Sequence, residues 1–555
     1  MKKVMSLALS AAMLAGILAG CGGGGSSSTA ASGVDSAATG ATAATSTAAA
    51  KTLRLAWTAD MQTMDVHKTT ANYEIPLNIF DRLFEIKLNA DGTTELVKSL
   101  VEDYTISEDG LTYDFTLRSG VTFSDGTPMT ANDVKYTFTR MLALPESVQT
   151  DFASAIDGSA AVMDGSATDL SGFTVTDDTH FTVKLSVPFA GFLYQLATPS
   201  CCIYSEKAVE AAGADFGLDA AKTIGSGAYI ITSWQPNSKI TLDANPNYWG
   251  EKPSAQHVEI SIVPDPSTIS MMYQNGEIDI LDCDDLDSSV VDSTYKTQYA
   301  DKMVTSNRLA TTYFILNENI EPLGDVKVRK ALQMAVDRQT ILDSVYSGDG
   351  SLTDGIFPHG LIGFSEENQG WLKYDPEGAK ALLAEAGYPD GFTMELSADS
   401  SASSSVMLIL QIVQQNLAAV GITAEIKSYD EASWLDLRKS GEMPSFVATW
   451  TADYNDPDNF IYTFFGNEDK SKIRSINYYN TDVMARVAAA RAIVDDTARL
   501  TEYTALEKQI VQEDAAWVPL FGRKHLFVVS DNVESYTPHW AGYSDFAFSG
   551  VTLKS

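Results

Sequence analysis

The chain has 555 residues and a formal net charge of −35, from 73 acidic and 38 basic residues. This balance argues against a protein that binds nucleic acid or an anionic bilayer, because both need a basic footprint. With 45% hydrophobic residues, the chain can fill a large core and form more than one globular lobe.

The first twenty residues have the order of a secretory signal. Two lysines precede an apolar run from Val4 to Leu18, and small residues then lead to Cys21. A membrane-spanning helix takes about 20 apolar residues, so this run is short for a signal anchor. Residues 1–20 are therefore predicted to be a cleaved signal peptide.

The tetrapeptide LAGC, which ends at Cys21, resembles a bacterial lipobox and implies cleavage before Cys21 and a lipid on that cysteine. Residues 22–50 are small, without apolar periodicity, and so predict a flexible tether that reaches roughly 30 Å from the bilayer. The segment 21–50 would thus hold the folded protein outside the membrane but close to it, and two acyl chains make such anchoring durable.

Strand patterns dominate the first half of the folded chain. In LTYDFTLRSGVTF, Tyr113, Phe115 and Leu117 alternate with polar residues, which predicts a strand with one wet face. FTVTDDTHFTVKL repeats the pattern, with a turn at Asp177 and Asp178, and predicts a hairpin.

Helical periodicity takes over in the second half. DVKVRKALQMAVDRQTILDSVY predicts a helix capped by Asp325. Asp375 and the following proline begin a second helix that stops at Gly387, and a third ends at Gly421, followed by a strand from Ile422. Helix and strand in alternation predict α/β lobes with a parallel or mixed sheet.

Motifs of catalysis and of cofactor binding are absent from the sequence. There is no HExxH, GxSxG, GxxxxGK[ST] or GxGxxG pattern. The spacing of Cys201, Cys202 and Cys283 does not indicate zinc, and we expect free buried thiols, although a bridge from Cys283 stays open. We predict no metal and no cofactor. A pair of carboxylates could still serve a glycosidase without any local motif.

Two acidic stretches need a separate interpretation. DILDCDDLDSS, residues 279–289, lacks the order of a calcium loop and is predicted to be a solvated segment at the edge of a lobe. WTADYNDPDNF, residues 450–460, places three acidic residues among aromatic ones. Pro457 stands where a calcium loop needs a side-chain oxygen, so a cation other than a loop-bound metal must be sought for this stretch.

Residues 111–142 contain F-x-D-G-x-P-x-T-A-x-D-V and resemble the signature of the solute-binding proteins of peptide/nickel-type ABC importers, family 5. Segments 224–250, 275–281, 328–342 and 374–392 are similar to further motifs of that family, in the family's order. The closest similarity is to its oligopeptide- and dipeptide-binding lipoproteins.

This resemblance implies an α/β fold of the two-lobe, type II periplasmic-binding-protein class, with an additional subdomain in the first lobe. The first lobe would span residues 51–306, include the subdomain at about 79–214, and be completed by residues 523–555. The second lobe would span 307–522.

By the same resemblance, Asp453 corresponds to the aspartate that binds a peptide's N-terminal ammonium. An ammonium removed from water needs a carboxylate nearby, which fits this role. Trp450 and Tyr454 flank the strand that would offer backbone groups to the peptide. Asp456 and Asp458 are expected to cap and shape the following turn.

The resemblance also places Asn72, Tyr73 and Glu74 beside the peptide on the first lobe. Arg438 matches an arginine that helps to receive the peptide carboxylate through its bidentate guanidinium. A second basic residue found in some relatives is Val447 here, which leaves ligand length open.

The sequence thus predicts a monomeric, lipid-anchored receptor on the extracellular face of the cytoplasmic membrane. It would capture short peptides and deliver them to an ABC permease, without catalysis. Two alternatives stay open: the same fold with an oligosaccharide or a nickel chelate as ligand, and a secreted hydrolase with carboxylates in the cleft.

Overall fold

The structure is a computed structural model that describes residues 51–89, 92–540 and 546–555. The signal peptide, Cys21 and the tether predicted for residues 1–50 lie outside the described residues. In the part of the chain that is described, no helix combines the length and the apolar character needed to cross a membrane.

The strands are assembled into sheets of two to six members. In chain order they are β1 (Thr52–Trp57), β2 (Phe84–Leu88), β3 (Thr94–Lys98), β4 (Val101–Ile106), β5 (Thr112–Leu117), β6 (Phe173–Val175), β7 (His180–Lys184), β8 (Tyr229–Gln235), β9 (Lys239–Ala244), β10 (His257–Ile262), β11 (Ile280–Asp282), β12 (Met303–Asn307), β13 (Ala310–Leu316), β14 (Gly350–Leu352), β15 (Thr393–Asp399), β16 (Thr423–Tyr429), β17 (Ser445–Thr451), β18 (Trp517–Val529), β19 (Val533–Tyr536) and β20 (Val551–Leu553).

The α-helices pack on the faces of these sheets. In chain order they are α1 (Glu74–Ile79), α2 (Ala131–Ala143), α3 (Ser159–Met163), α4 (Phe192–Gln195), α5 (Glu206–Ala212), α6 (Pro266–Gln274), α7 (Ser288–Val290), α8 (Lys296–Gln298), α9 (Val326–Ala335), α10 (Arg338–Tyr346), α11 (Pro376–Glu385), α12 (Ser404–Ala419), α13 (Glu431–Ser440), α14 (Asp458–Phe465), α15 (Glu468–Lys472), α16 (Thr481–Ala490) and α17 (Asp496–Lys508).

One four-stranded sheet has the order β1-β10-β9-β8, with β1 parallel to β10 and the other pairs antiparallel. Its buried side chains, such as Leu53 and Ile260, share a core with Phe527 and Phe548 from the end of the chain. The C-terminal segment therefore completes the core that the N-terminal strand begins.

The long strand β18 links two halves of the central six-stranded sheet. Its first part pairs with β13 and β14, and its second part pairs with β11 and β12. Strands β12 and β13 connect the same two halves of the sheet. They run in the opposite direction, because both are antiparallel to β18. Two adjacent chain segments thus connect the halves, near residues 307–310 and 522–525. The boundaries given above for the two lobes stay a prediction.

The hairpins predicted in the first half of the chain are confirmed. Tyr113, Phe115 and Leu117 of β5 are buried, and β6 and β7 pair on either side of the predicted turn. Together with β4 they form the sheet β4-β5-β7-β6. The core under this sheet is continuous with Phe464 and Trp517.

The helix predicted to begin at Asp325 is correct at its start but wrong in its length. Two helices, α9 and α10, replace it, because Asp337 accepts a hydrogen bond from the Thr340 amide and begins a new helix. The caps predicted at Asp375 and the stop at Gly387 are confirmed. Strands β15 and β16 are parallel, so the predicted mixed α/β arrangement is confirmed as well.

The three cysteines of the folded chain are free and buried, as expected. The interpretation of residues 279–289 as a solvated segment is wrong for two of its acids. Asp279 is fully buried and pairs with Arg54 at 2.7 Å, and Asp284 pairs with Arg308 and His525. Within the described ranges, no cluster of three or more histidine, cysteine or acidic side chains could hold a metal ion.

The Asp279 carboxylate joins the first strand to the end of the chain. It accepts hydrogen bonds from the amide and guanidinium of Arg54, from the hydroxyl of Ser530 and from the amide of Asn532. Asp279→Asn removes the charge and puts an amide group against these donors. We expect a loss of about 2–4 kcal/mol in the free energy of unfolding, measured by urea denaturation.

The matched control is Asp531→Asn. Asp531 lies between Ser530 and Asn532, pairs with Lys302 and has a side chain that is 86% exposed. We expect no measurable change, because exposed pairs contribute little. Equal denaturation midpoints for Asp279→Asn and the unchanged protein would contradict the role given to Asp279.

Candidate functional site

Asp453 lies two residues beyond the end of β17 and is held in place by one side chain. The Oδ1 atom of Asn459 accepts hydrogen bonds from the Asp453 amide at 2.9 Å and from the indole nitrogen of Trp450 at 3.2 Å. The amide nitrogen of Asn459 donates to the Asp453 carboxylate at 3.0 Å. Asn459 therefore fixes the aspartate and the tryptophan relative to each other.

The Asp453 side chain is exposed to solvent within a recess of the protein. The surrounding protein raises the pKa of this carboxyl by desolvation, while the hydrogen bond from Asn459 and the charge of Arg474 lower it. Asp151 adds a repulsion that raises the pKa further. Among the described residues, no cation forms an ion pair with Asp453. The nearby charge of Arg474 thus acts on this carboxylate without forming an ion pair with it.

The other two acids of the same stretch are buried and paired. Asp456 forms an ion pair with the Arg499 guanidinium at 2.7 Å, and Asp458 forms one with that of Arg491 at 3.0 Å. Burial raises the pKa of Asp456 to about 6, although Arg499 opposes the increase. Asp456 also accepts a hydrogen bond from the Asp458 amide at 2.9 Å, which is the turn-shaping contact expected from the sequence.

The two aromatic residues predicted to flank the ligand differ in their surroundings. Tyr454 is buried, and its hydroxyl donates to the Asp458 carboxylate at 3.0 Å. Trp450 is half-buried, and the guanidinium of Arg474 lies 4.6 Å from the centre of its ring. Trp450 is therefore the one that borders both Asp453 and a cationic group.

Arg438 lies on α13, the helix that packs Trp434 against Phe446 of β17. Its side chain is half-buried. The charge of Arg438 lowers the pKa of Arg474, so the two guanidinium groups are close. Val447 points into the core on the opposite face of the sheet from Trp450.

The predicted first-lobe residues lie around a different cavity. Asn72 and Glu74 line a space of about 100 Å³ together with Trp57 and Asp282. The hydroxyl of Tyr73 donates to the Thr69 carbonyl. The described lining of this cavity contains no residue of 307–522. The structure thus joins Asp453 and Trp450 through Asn459 and places Arg438 near Arg474, whereas Asn72 and Glu74 line a different cavity.

Sequence reasoning missed Asn459 and Arg474. Asn459 lies inside the stretch 450–460, so its spacing of six residues from Asp453 was visible, but its role depends on the turn that brings the two together. Arg474 follows α15 and reaches Trp450 only through the fold. No local pattern in the sequence indicates that contact.

Comparison with known proteins places this geometry in a family. Residues 95–472 match the family model described as "Bacterial extracellular solute-binding proteins, family 5 Middle". The dipeptide-binding protein of Escherichia coli is 31% identical over 455 residues, which covers 79% of this chain and 82% of that protein. Heme-binding protein A of Haemophilus influenzae is 28% identical over 488 residues, covering 86% and 87%.

A solved structure is also similar over most of the chain. It is the ABC transporter-associated periplasmic binding protein of Helicobacter pylori in complex with the peptide STSA, with a TM-score of 0.69, 25% identity and coverage of 91% and 98%. The two-lobe α/β fold with an additional subdomain is therefore confirmed. The chain belongs to the family 5 bacterial extracellular solute-binding proteins.

Proposed function

We propose that this protein is a lipid-anchored receptor that captures short peptides between its two lobes and delivers them to an ABC permease in the membrane. The lipid would be attached to Cys21. The protein would act as a monomer on the extracellular face of the cytoplasmic membrane and would carry out no chemistry on the ligand.

The observation that carries this proposal is that Asp453 is exposed, fixed in position and without an ion-pair partner among the described residues. Three acids stand within six residues, and two of them are buried and already have arginine partners. Asp453 alone is exposed in a recess, with its position fixed by Asn459. A fixed carboxylate in a partly desolvated site attracts a cation, and the terminal ammonium of a peptide is one that fits beside aromatic walls.

The strand before Asp453 supports an extended ligand. In the order β11-β18-β13-β17, strand β17 comes last. The backbone groups on its outer side pair with no strand among the described ranges. Such an edge can accept a peptide by main-chain hydrogen bonds, which are indifferent to side-chain identity. Affinity for many different short peptides would follow.

The remaining ligand contacts are assigned by position. Arg438 would receive the peptide carboxylate, because its half-buried side chain acts on the charge of Arg474 and its carbonyl accepts a hydrogen bond from Ser475. Trp450 would pack against the peptide, and Tyr454 would support the wall through Asp458. Asn72, Tyr73 and Glu74 would approach the ligand from the first lobe when the lobes close.

Relatives differ in what they bind, so the ligand class needs a direct test. The domain from Lys51 onward would be purified, analysed by native mass spectrometry, and then denatured to release and sequence any bound molecule. Peptides of two to several residues would support the proposal. An oligosaccharide, a haem or a nickel chelate would overturn it, and turnover of added peptides without a partner would indicate a hydrolase.

Asp453→Asn should weaken peptide binding by about 2–5 kcal/mol, roughly 30-fold or more. The asparagine keeps an oxygen that can accept the hydrogen bond from Asn459 and removes only the charge. Isothermal titration calorimetry with short peptides measures the loss. Unchanged affinity would exclude Asp453 as the ammonium site.

Two further variants separate binding from stability. Asp482→Asn, at an exposed position on α16, should change neither property. Asp456→Asn should lower the unfolding temperature, because it leaves the buried Arg499 with only the exposed Asp496 as a charge partner. A loss of stability in Asp453→Asn as large as that in Asp456→Asn would contradict the division between one binding acid and two structural acids.

Peptide affinity should also depend on pH in a defined direction. Burial raises the pKa of Asp453 in the free protein, and a bound ammonium would lower it. Binding below the raised pKa therefore releases a proton, so affinity should fall as the pH decreases through that value. Titrations at several pH values should show this slope in the unchanged protein and a weaker slope in Asp453→Asn.

A further inference from the structure

Arg474 lies in a recess, and its guanidinium forms no ion pair with a carboxylate of the described residues. Its guanidinium carbon lies 4.6 Å from the centre of the Trp450 ring and 5.3 Å from that of Phe464. Its Nε atom is buried and has no hydrogen-bond partner. The aromatic rings thus position the guanidinium, and its buried Nε donor has no partner among the described residues.

Several other buried arginines of this protein have partners within the chain. Arg499 binds Asp456 at 2.7 Å, and Arg338 binds Asp354 at 2.7 Å. Arg329 donates to four backbone carbonyl groups. A guanidinium removed from water needs such partners. The chain has 73 acidic residues that could supply a carboxylate for this purpose. Among the described residues, Arg474 forms no ion pair, and neither does Arg523, which stacks on Tyr346. Arg474 differs from Arg523 because it lies against Trp450, beside the residues that hold Asp453, so a charged partner from outside fits there.

A second guanidinium strengthens the positive character of this place. Burial raises the pKa of Tyr313 to about 12, while Arg474 and Arg438 both act to lower it, so the two arginines lie near the same phenol group. Burial and the charge of Arg438 lower the pKa of Arg474, while Tyr313 and Asp453 act to raise it. Two cations that repel each other in a partly desolvated recess are stabilised by an anion placed between them.

The distance to Asp453 restricts the kind of anion. Trp450 contacts Arg474 with its ring face and binds Asn459 through its indole nitrogen, and Asn459 holds Asp453. The cationic group is therefore linked to Trp450 through the face of the ring, and the anionic group through the indole nitrogen and Asn459. An extended peptide advances about 3.3–3.6 Å per residue, so one or two residues bridge the two groups.

We propose that Arg474 is a specificity-determining residue that binds a ligand carboxylate one or two residues away from the ammonium bound by Asp453. This inference rests on the proposed function and narrows its ligand class to short peptides that carry both charges close together. The carboxylate has two possible sources, the C-terminus of a dipeptide and an acidic side chain near the start of a longer peptide. Arg438 would assist from the other side of the anion.

The test is a double-mutant cycle between Arg474 and the ligand charge, in which each affinity is measured by isothermal titration calorimetry. One pair of probes is Ala-Ala and Ala-Ala-amide, which differ in the terminal carboxylate. The second pair is Ala-Asp-Ala-amide and Ala-Asn-Ala-amide, which differ in the acidic side chain. Arg474→Gln should weaken binding of the carboxylate-bearing member of one pair by about 10- to 100-fold and leave its neutral partner almost unchanged.

Two variants control for effects on the fold. Arg486→Gln removes a guanidinium that pairs with Glu502 on the surface of the same lobe and should alter no ligand affinity. Arg474→Lys keeps the charge and should restore part of the preference for the carboxylate. If Arg474 served only to support Trp450, Arg474→Gln would weaken both members of each pair equally, and the ligand charge would show no coupling to residue 474.

The outcomes separate this inference from the function on which it rests. Coupling in the first pair assigns the C-terminal carboxylate, and coupling in the second pair assigns the acidic side chain. Equal losses in both pairs, with peptides still binding to the unchanged protein, would overturn the role of Arg474 alone. If the unchanged protein binds none of the four peptides, the proposed peptide receptor is overturned together with this inference.

Discussion

Arg499 and Asp456 are almost completely buried, and their mutual ion pair is what allows both charges to remain in the interior. The same requirement is met by Arg338 with Asp354 and by Asp279 with Arg54. A charge taken out of water costs several kcal/mol unless an opposite charge and hydrogen bonds offset it. In a chain with many more acids than bases, this requirement determines where each arginine can be placed.

Two groups in the candidate site do not follow that requirement within the protein. Asp453 has a fixed position and no cation, while Arg474 has aromatic neighbours and no carboxylate. Both are linked to Trp450, and each influences the pKa of the other. A ligand that carries an ammonium and a carboxylate would complete both pairs, which is why the charge distribution favours a peptide over a neutral sugar.

Local patterns in the sequence predicted much of the fold, because they reflect local energetics. The alternation in β5 and the cap at Asp375 were readable, since each depends on neighbours a few residues away. The break between α9 and α10 was not, because apolar residues continue across it and only the contacts of Asp337 reveal it. Asp453 was identified through family resemblance. The partners of Asp456 and Asp458 lie more than thirty residues along the chain, so no local rule separates these three acids.

The unpaired charges also suggest how the lobes could respond to a ligand. Closing them over an empty cleft would withdraw Asp453 and Arg474 further from water without partners, and each would add several kcal/mol to the free energy of the closed form. A ligand with both charges in the right places would remove that cost in the closed form and change the open form little. Such a difference in affinity is what shifts a conformational equilibrium. A peptide that lacks either charge would leave one group unpaired and would favour closure less.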